Sequence, residues 1–172
     1  MRFVLDASVA LLWLVPGTNP AGVDYAEATL GALKDAQAVV PSLWALEVAN
    51  VVAKLEAKTI VTEADSQRYV ALLGQLHIVT DPATATHALG DTLNLARRYR
   101  LSAYDAAYLE LALRTGLPLA TLDAGLAKAA ATALCGGEVD SGRRVGEQWV
   151  LDVERAQFLE LLKSEKTQQR IA

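Results

Sequence analysis

Arg2-Phe3-Val4-Leu5-Asp6-Ala7-Ser8-Val9 opens the chain with a short apolar run, a single carboxylate, and then apolar residues at helical spacing. A brief unbroken apolar run of this kind suits a strand buried on both faces. The periodicity after it predicts a helix over residues 7–14, which Pro16-Gly17 and Asn19-Pro20 end. An export signal is the competing reading of residues 1–15. Asp6 in the middle of the apolar run and the lack of a small-x-small cleavage site before Pro16 speak against it. The stretch therefore reads as a buried strand, a carboxylate at its end, and a helix.

That unit recurs along the chain. Val39-Val40, His77-Ile78-Val79 and Pro118-Leu119-Ala120 are further strand candidates, and helical periodicity fills residues 22–34, 42–57, 63–75, 83–99, 103–114 and 124–133. Short strands alternating with helices imply an α/β fold, with a central, mainly parallel sheet and helices on both faces. In such sheets functional groups gather beyond the carboxyl ends of the strands.

The 172-residue chain is 52% hydrophobic and 21% charged, which supports an ordinary core and excludes wholesale disorder. Cys135 is the one cysteine, so an internal disulfide framework is excluded and a reducing, cytoplasmic setting is expected. The net charge of −4 excludes the broad basic surface typical of nucleic-acid readers, though not a locally basic contact. No uncharged apolar stretch reaches the roughly 18 residues of a spanning helix, so no membrane association is expected. Charge also divides the chain. Residues 1–135 carry 10 basic and 13 acidic side chains, whereas the much shorter segment 136–172 carries 6 and 7. Gly136-Gly137 and the polar stretch Glu138 to Gly142 mark the boundary between a globular body, 1–135, and a charged extension, 136–172.

Four acids stand out on this map. Asp6 and Asp123 each follow a strand candidate, where an aspartate is also a common helix N-cap. Asp105 lies three residues after Ser102, a spacing that resembles a capping box with Asp in place of Glu or Gln. Glu47 is harder to account for, since no other charge stands between Asp35 and Lys54 and no cap needs it. Either it shares a thin solvent stripe with Asn50, three residues on, or it serves a site, because an unpaired glutamate facing an apolar core is costly. If Asp6, Glu47, Asp105 and Asp123 converge, they cannot all stay ionised unaided: two carboxylates about 4 Å apart repel by roughly 4 kcal/mol at an intermediate dielectric. A divalent cation resolves the conflict, and an all-oxygen set suits Mg²⁺ or Mn²⁺. The chemistry such a site serves is water activation and in-line phosphodiester hydrolysis.

Residues 1 to about 135 resemble the PIN-domain ribonucleases, and most closely the VapC-type toxins of bacterial toxin–antitoxin pairs. The resemblance rests on four fragments in order: Phe3-Val4-Leu5-Asp6-Ala7-Ser8-Val9; Pro41 followed by Glu47 and Asn50; Ser102-Ala103-Tyr104-Asp105-Ala106-Ala107-Tyr108-Leu109-Glu110-Leu111-Ala112; and Ala120-Thr121-Leu122-Asp123-Ala124-Gly125-Leu126. It implies a three-layer α/β/α fold and a metal-dependent endoribonuclease. It implies that Asp6, Glu47, Asp105 and Asp123 hold one or two Mg²⁺ or Mn²⁺ ions, with Ser8 and Thr121 as hydroxyl helpers and Asn50 as a polar neighbour of Glu47. It also implies a homodimer and an antitoxin that blocks the site. The alternatives are a PIN-fold module that binds RNA or protein without cutting, and a metal-dependent nuclease or phosphatase with another substrate.

For RNA, the densest basic patch is Arg97-Arg98-Tyr99-Arg100, just before the Ser102 turn, where cations also suit a helix C-terminus. Lys54 and Lys58, beyond Glu47, form a second candidate contact. The extension departs from the family. Glu147 to Asp152 is a candidate for a displaced strand and Val153 to Gln169 for an amphipathic helix that packs on the body or extends a dimer interface. A sharper expectation is that Arg143 and Arg144 reach the acidic cleft and restrain activity. His77 and His87 match no ligand motif and read as surface or boundary residues; Trp13, Trp44 and Trp149 read as packing residues; Ser8 lacks a histidine partner for a hydrolase triad.

Overall fold

The computed structural model describes residues 1–135. The extension 136–172, with Arg143, Arg144, Trp149 and the strand and helix candidates there, lies outside the described residues. Strand β1 (Arg2–Leu5) leads into α1 (Ala7–Leu12), and two short 3₁₀ turns, each opened by a proline, connect it to α2 (Val23–Ala32). Then follow β2 (Gln37–Val40), α3 (Trp44–Ala57), α4 (Glu63–Gln75) and β3 (Ile78–Thr80). Helices α5 (Thr84–His87), α6 (Leu93–Tyr99) and α7 (Ala103–Thr115) precede β4 (Leu119–Ala120) and α8 (Ala124–Cys135).

The strands form one parallel sheet in the order β3-β2-β1-β4. In β1, Phe3 and Leu5 point to one face and Val4 to the other, and all three are fully buried. Helices therefore cover both faces of the sheet, as the unbroken apolar run predicts. Burying Phe3 or Leu5 contributes about 1.5–3 kcal/mol each. Trp44 is buried in the same core, and Trp13 packs against it while donating from Nε1 to the Ala26 carbonyl at 2.8 Å.

Parallel strands need helical crossovers, so every strand ends at the same edge of the sheet. From β1 the chain builds outward through β2 to β3, and only later adds β4 on the other side. The connections thus diverge at β1, and the crevice beyond its carboxyl end is where open α/β sheets bind ligands.

Local chemistry sets the helix ends. Thr62 and Asp65 form a full capping box at α4, and Ser102 caps α7, accepting from the Asp105 N–H at 3.0 Å. Gly116 closes α7 in the left-handed conformation (φ 63°). Arg100 adopts the same region (φ 56°) without being glycine, turning the chain sharply from α6 into the Ser102 cap. The single helix expected over 83–99 is broken by a π turn, Ala88–Thr92, which contains the poor helix former Gly90. Among the described residues no helix is long and apolar enough to cross a membrane.

Candidate active site

Asp6 stands at the N-cap position of α1, but its side chain makes no capping bond and instead turns into the crevice between β1 and β4. Two hydroxyls hold one of its oxygens. Ser8 Oγ donates to Asp6 Oδ2 at 2.5 Å and accepts from the Leu122 N–H at 3.0 Å. Thr121 Oγ1 donates to the same oxygen at 2.6 Å and accepts from the Asp123 N–H at 3.0 Å. Because each hydroxyl already accepts an N–H, its own proton is directed at Asp6. The pair stitches the carboxyl ends of β1 and β4 together. Burial pushes the Asp6 carboxyl above the usual carboxylate range, the two hydroxyls pull it back, and the charge of Asp105 adds to the rise.

Glu47 enters from the first turn of α3 and Asp105 from the first turn of α7. Glu47 is half-buried rather than on a solvent stripe, and Tyr108 Oη donates to its Oε2. Burial raises the Glu47 carboxyl, the Tyr108 bond opposes that rise, and the charges of Asp6 and Asp105 add to it. The three carboxylates therefore act on one another across a shared space. Among the described residues, no basic side chain is one of the groups that shift Asp6 or Glu47.

Asp123 follows β4 and is tied to the others through Thr121, but it is exposed and its Oδ1 accepts from the Leu126 N–H at 2.6 Å, capping α8. For this residue the capping reading is correct as far as one oxygen goes. Asp105 Oδ2 accepts from Ser102 Oγ at 2.7 Å, so it also combines a capping partnership with a place in the cluster. Asn50 is exposed and forms no hydrogen bond with Glu47 among the described residues, so its expected role as a polar neighbour has no contact behind it.

The basic residues divide. Arg97, Arg98 and Arg100 are exposed at the turn that delivers Ser102 and Asp105. Lys54 and Lys58 are exposed too, but α3 runs away from the crevice, which places them about 10 Å and about 16 Å along its axis from Glu47. Tyr104, 63% exposed beside Asp105, was not singled out by its sequence context. Tyr108 was also missed as a functional partner. The available signal was its place three residues after Asp105, on the same helix face, since a buried phenol needs an acceptor.

A second charged cluster lies at the other end of α7. Asp81, after β3, accepts from Arg114 at 2.8 Å and from Thr84 at 3.0 Å; Glu110 accepts from Arg114 Nε at 2.7 Å. His87, a boundary residue as expected, approaches Asp91 at 3.0 Å and Glu110 at 3.6 Å. His87, Asp91 and Glu110 offer donor atoms within 4.8 Å of one another, a spacing compatible with a metal ion, although Arg114 already serves Glu110.

The PIN domain family profile matches residues 3–132, covering every element that builds the crevice. The chain belongs to the PIN domain family. PIN domains are generally divalent-metal-dependent nucleases, and so hydrolases. No sequence among curated proteins matches this chain. The fold of this PIN domain is similar to the crystal structure of PAE2754 from Pyrobaculum aerophilum, with a TM-score of 0.57 and 20% identity over 95% of this chain and 90% of that one. At that identity the likeness is one of fold.

The site chemistry fits a divalent cation. The proton affinities of Asp6 and Glu47 are raised by burial and by neighbouring carboxylate charge, with no basic group among the described residues acting on either, and the backbone N–H of Asp123 bonds Thr121 beside them.

Proposed function

We propose that this PIN domain is a Mg²⁺- or Mn²⁺-dependent endoribonuclease, the toxin of a type II toxin–antitoxin pair, acting in the cytoplasm as a homodimer. The observation that carries the catalytic reading is the meeting of Asp6, Glu47 and Asp105 beyond the carboxyl end of β1 with no compensating cation among the described residues. The toxin, antitoxin and dimer parts rest on the resemblance of the four sequence fragments to VapC-type toxins.

Asp6, Glu47, Asp105 and Asp123 are the proposed ligands. A bound cation supplies Lewis-acid stabilisation of phosphodiester charge and lowers the pKa of water. Ser8 and Thr121 fix the Asp6 carboxylate so that no reorganisation is needed as charge develops. Arg97, Arg98 and Arg100, at the same edge of the sheet, neutralise flanking phosphates, and the exposed ring of Tyr104 offers a face for an unpaired base. Lys54 and Lys58 reach only RNA that extends along α3.

The test is full-length protein freed of any co-purifying partner, incubated with total RNA with and without Mn²⁺. Cleavage that requires the ion is expected. Cleavage that persists under strict chelation overturns the metal mechanism, and hydrolysis of DNA or phosphomonoesters in place of RNA overturns the substrate.

A further inference from the structure

The four acids share a pattern that their separation in sequence conceals. Each is held through one carboxylate oxygen by an uncharged donor: Asp6 by the Ser8 and Thr121 hydroxyls, Asp105 by the Ser102 hydroxyl, Asp123 by the Leu126 N–H, and Glu47 by the Tyr108 phenol. Four of these five donors come from within three residues of the acid or from the end of the strand beside it. Glu47 is different. It has the longest and most flexible of the four side chains, it sits on a helix that is otherwise apolar around it, and its donor arrives from another helix, 61 residues away.

Tyr108 is fully buried, one turn beyond Asp105 on α7. The Ala7 backbone N–H, at the start of α1, also acts on the phenol. The phenol has a single proton, and it donates that proton to Glu47. One side chain of α7, a turn beyond Asp105, thus reaches Glu47 in the first turn of α3 and lies beside the start of α1, which follows Asp6.

We propose that Tyr108 is a positioning residue: it fixes the Glu47 carboxylate toward Asp6 and Asp105, so that cation affinity depends on a buried phenol that binds no cation itself. The inference rests on the metal-site reading above. Donors that orient ligands in this way typically govern affinity by about 10–100-fold.

The experiment titrates Mn²⁺ alone into the full-length protein by calorimetry, using Tyr108→Phe, Glu47→Gln and the double variant. Tyr108→Phe is expected to weaken Mn²⁺ binding at least about tenfold, and to have no further effect once Glu47 is Gln. Unchanged affinity in Tyr108→Phe overturns the proposal. An equal loss in the wild-type and Glu47→Gln backgrounds also overturns it, because the phenol would then act through the fold in general. Should Tyr108→Phe not fold, Glu47→Asp keeps both the charge and the phenol but shortens the reach between them; the same loss supports the proposal and undiminished affinity overturns it. Failure of the metal-site reading looks different: neither Asp6→Asn nor Glu47→Gln changes Mn²⁺ binding, and the positioning role falls with it.

Discussion

Asp6 and Asp81 occupy the same kind of place, each directly after a parallel strand and each almost wholly buried, at 6% and 7% exposed. Around Asp81 the fold supplies everything a buried carboxylate needs. Thr84 donates to it, and Arg114 bonds it at 2.8 Å while also holding Glu110. Around Asp6 the described residues supply hydroxyls but no basic partner, and the charge of Asp105 adds to the burial. α7 links the two regions, carrying Asp105 and Tyr108 near one end and Glu110 and Arg114 near the other. Buried acids are therefore not the mark of a site in this protein. The mark is a buried acid cluster whose charge the described residues leave unbalanced.

That contrast can be broken most severely at the balanced end. Arg114→Met leaves Asp81 and Glu110 buried without their cation and is expected to cost about 3–5 kcal/mol of stability, read by urea denaturation. A loss below about 1 kcal/mol would mean that solvent, not Arg114, neutralises the cluster.

The unbalanced end should respond in activity rather than in folding. Asp6→Asn or Asp105→Asn is expected to reduce Mn²⁺-dependent RNA cleavage at least about a hundredfold, because loss of a ligand exceeds loss of a ligand's supporting donor. A gel-based cleavage assay alongside a thermal melt separates this from unfolding.

A smaller effect sharpens the comparison through pH. The folded-state pKa of Asp6 lies above its ordinary value of 3.8, so between the two values the folded state binds more protons than the unfolded state. Stability without metal should therefore fall as pH rises through that window, and stay reduced above it. Asp6→Asn should flatten this fall and raise the metal-free melting temperature at neutral pH, by about 2–4 °C for each kcal/mol regained. Added Mn²⁺ should recover stability in the wild type. A wild-type protein whose metal-free stability rises through the same window would contradict the assignment.

The smallest effect is a control. His87 pairs with the exposed Asp91, so His87→Asn should change stability by no more than about 1 kcal/mol and leave Mn²⁺-dependent cleavage intact. Loss of cleavage in a folded variant would move metal dependence to the His87, Asp91 and Glu110 cluster.

Much of this was legible before any coordinates. The apolar run Phe3-Val4-Leu5 specified a strand buried on both faces, because only a sheet covered on each side accommodates consecutive apolar residues. Ser102 with Asp105 specified the start of α7, because that pairing is local hydrogen-bond chemistry. Glu47 drew attention because an isolated carboxylate in an apolar helix is costly anywhere except at a site. Other features were not legible. The π turn at 88–92 interrupts a periodicity that reads as one helix, and the bond from Tyr108 to Glu47 joins residues 61 apart.

The sequence by itself determined the local units: which runs become strands, where helices start, and which acids stand at strand ends. These depend on neighbours within a few residues. Only the tertiary structure decided what each acid means. Asp6 and Asp81 look alike in sequence, and the arginine that neutralises one lies 33 residues away while the carboxylates that crowd the other come from α3 and α7. Charge balance is a sum over space rather than over sequence, and the sheet order β3-β2-β1-β4 fixes which groups enter each sum.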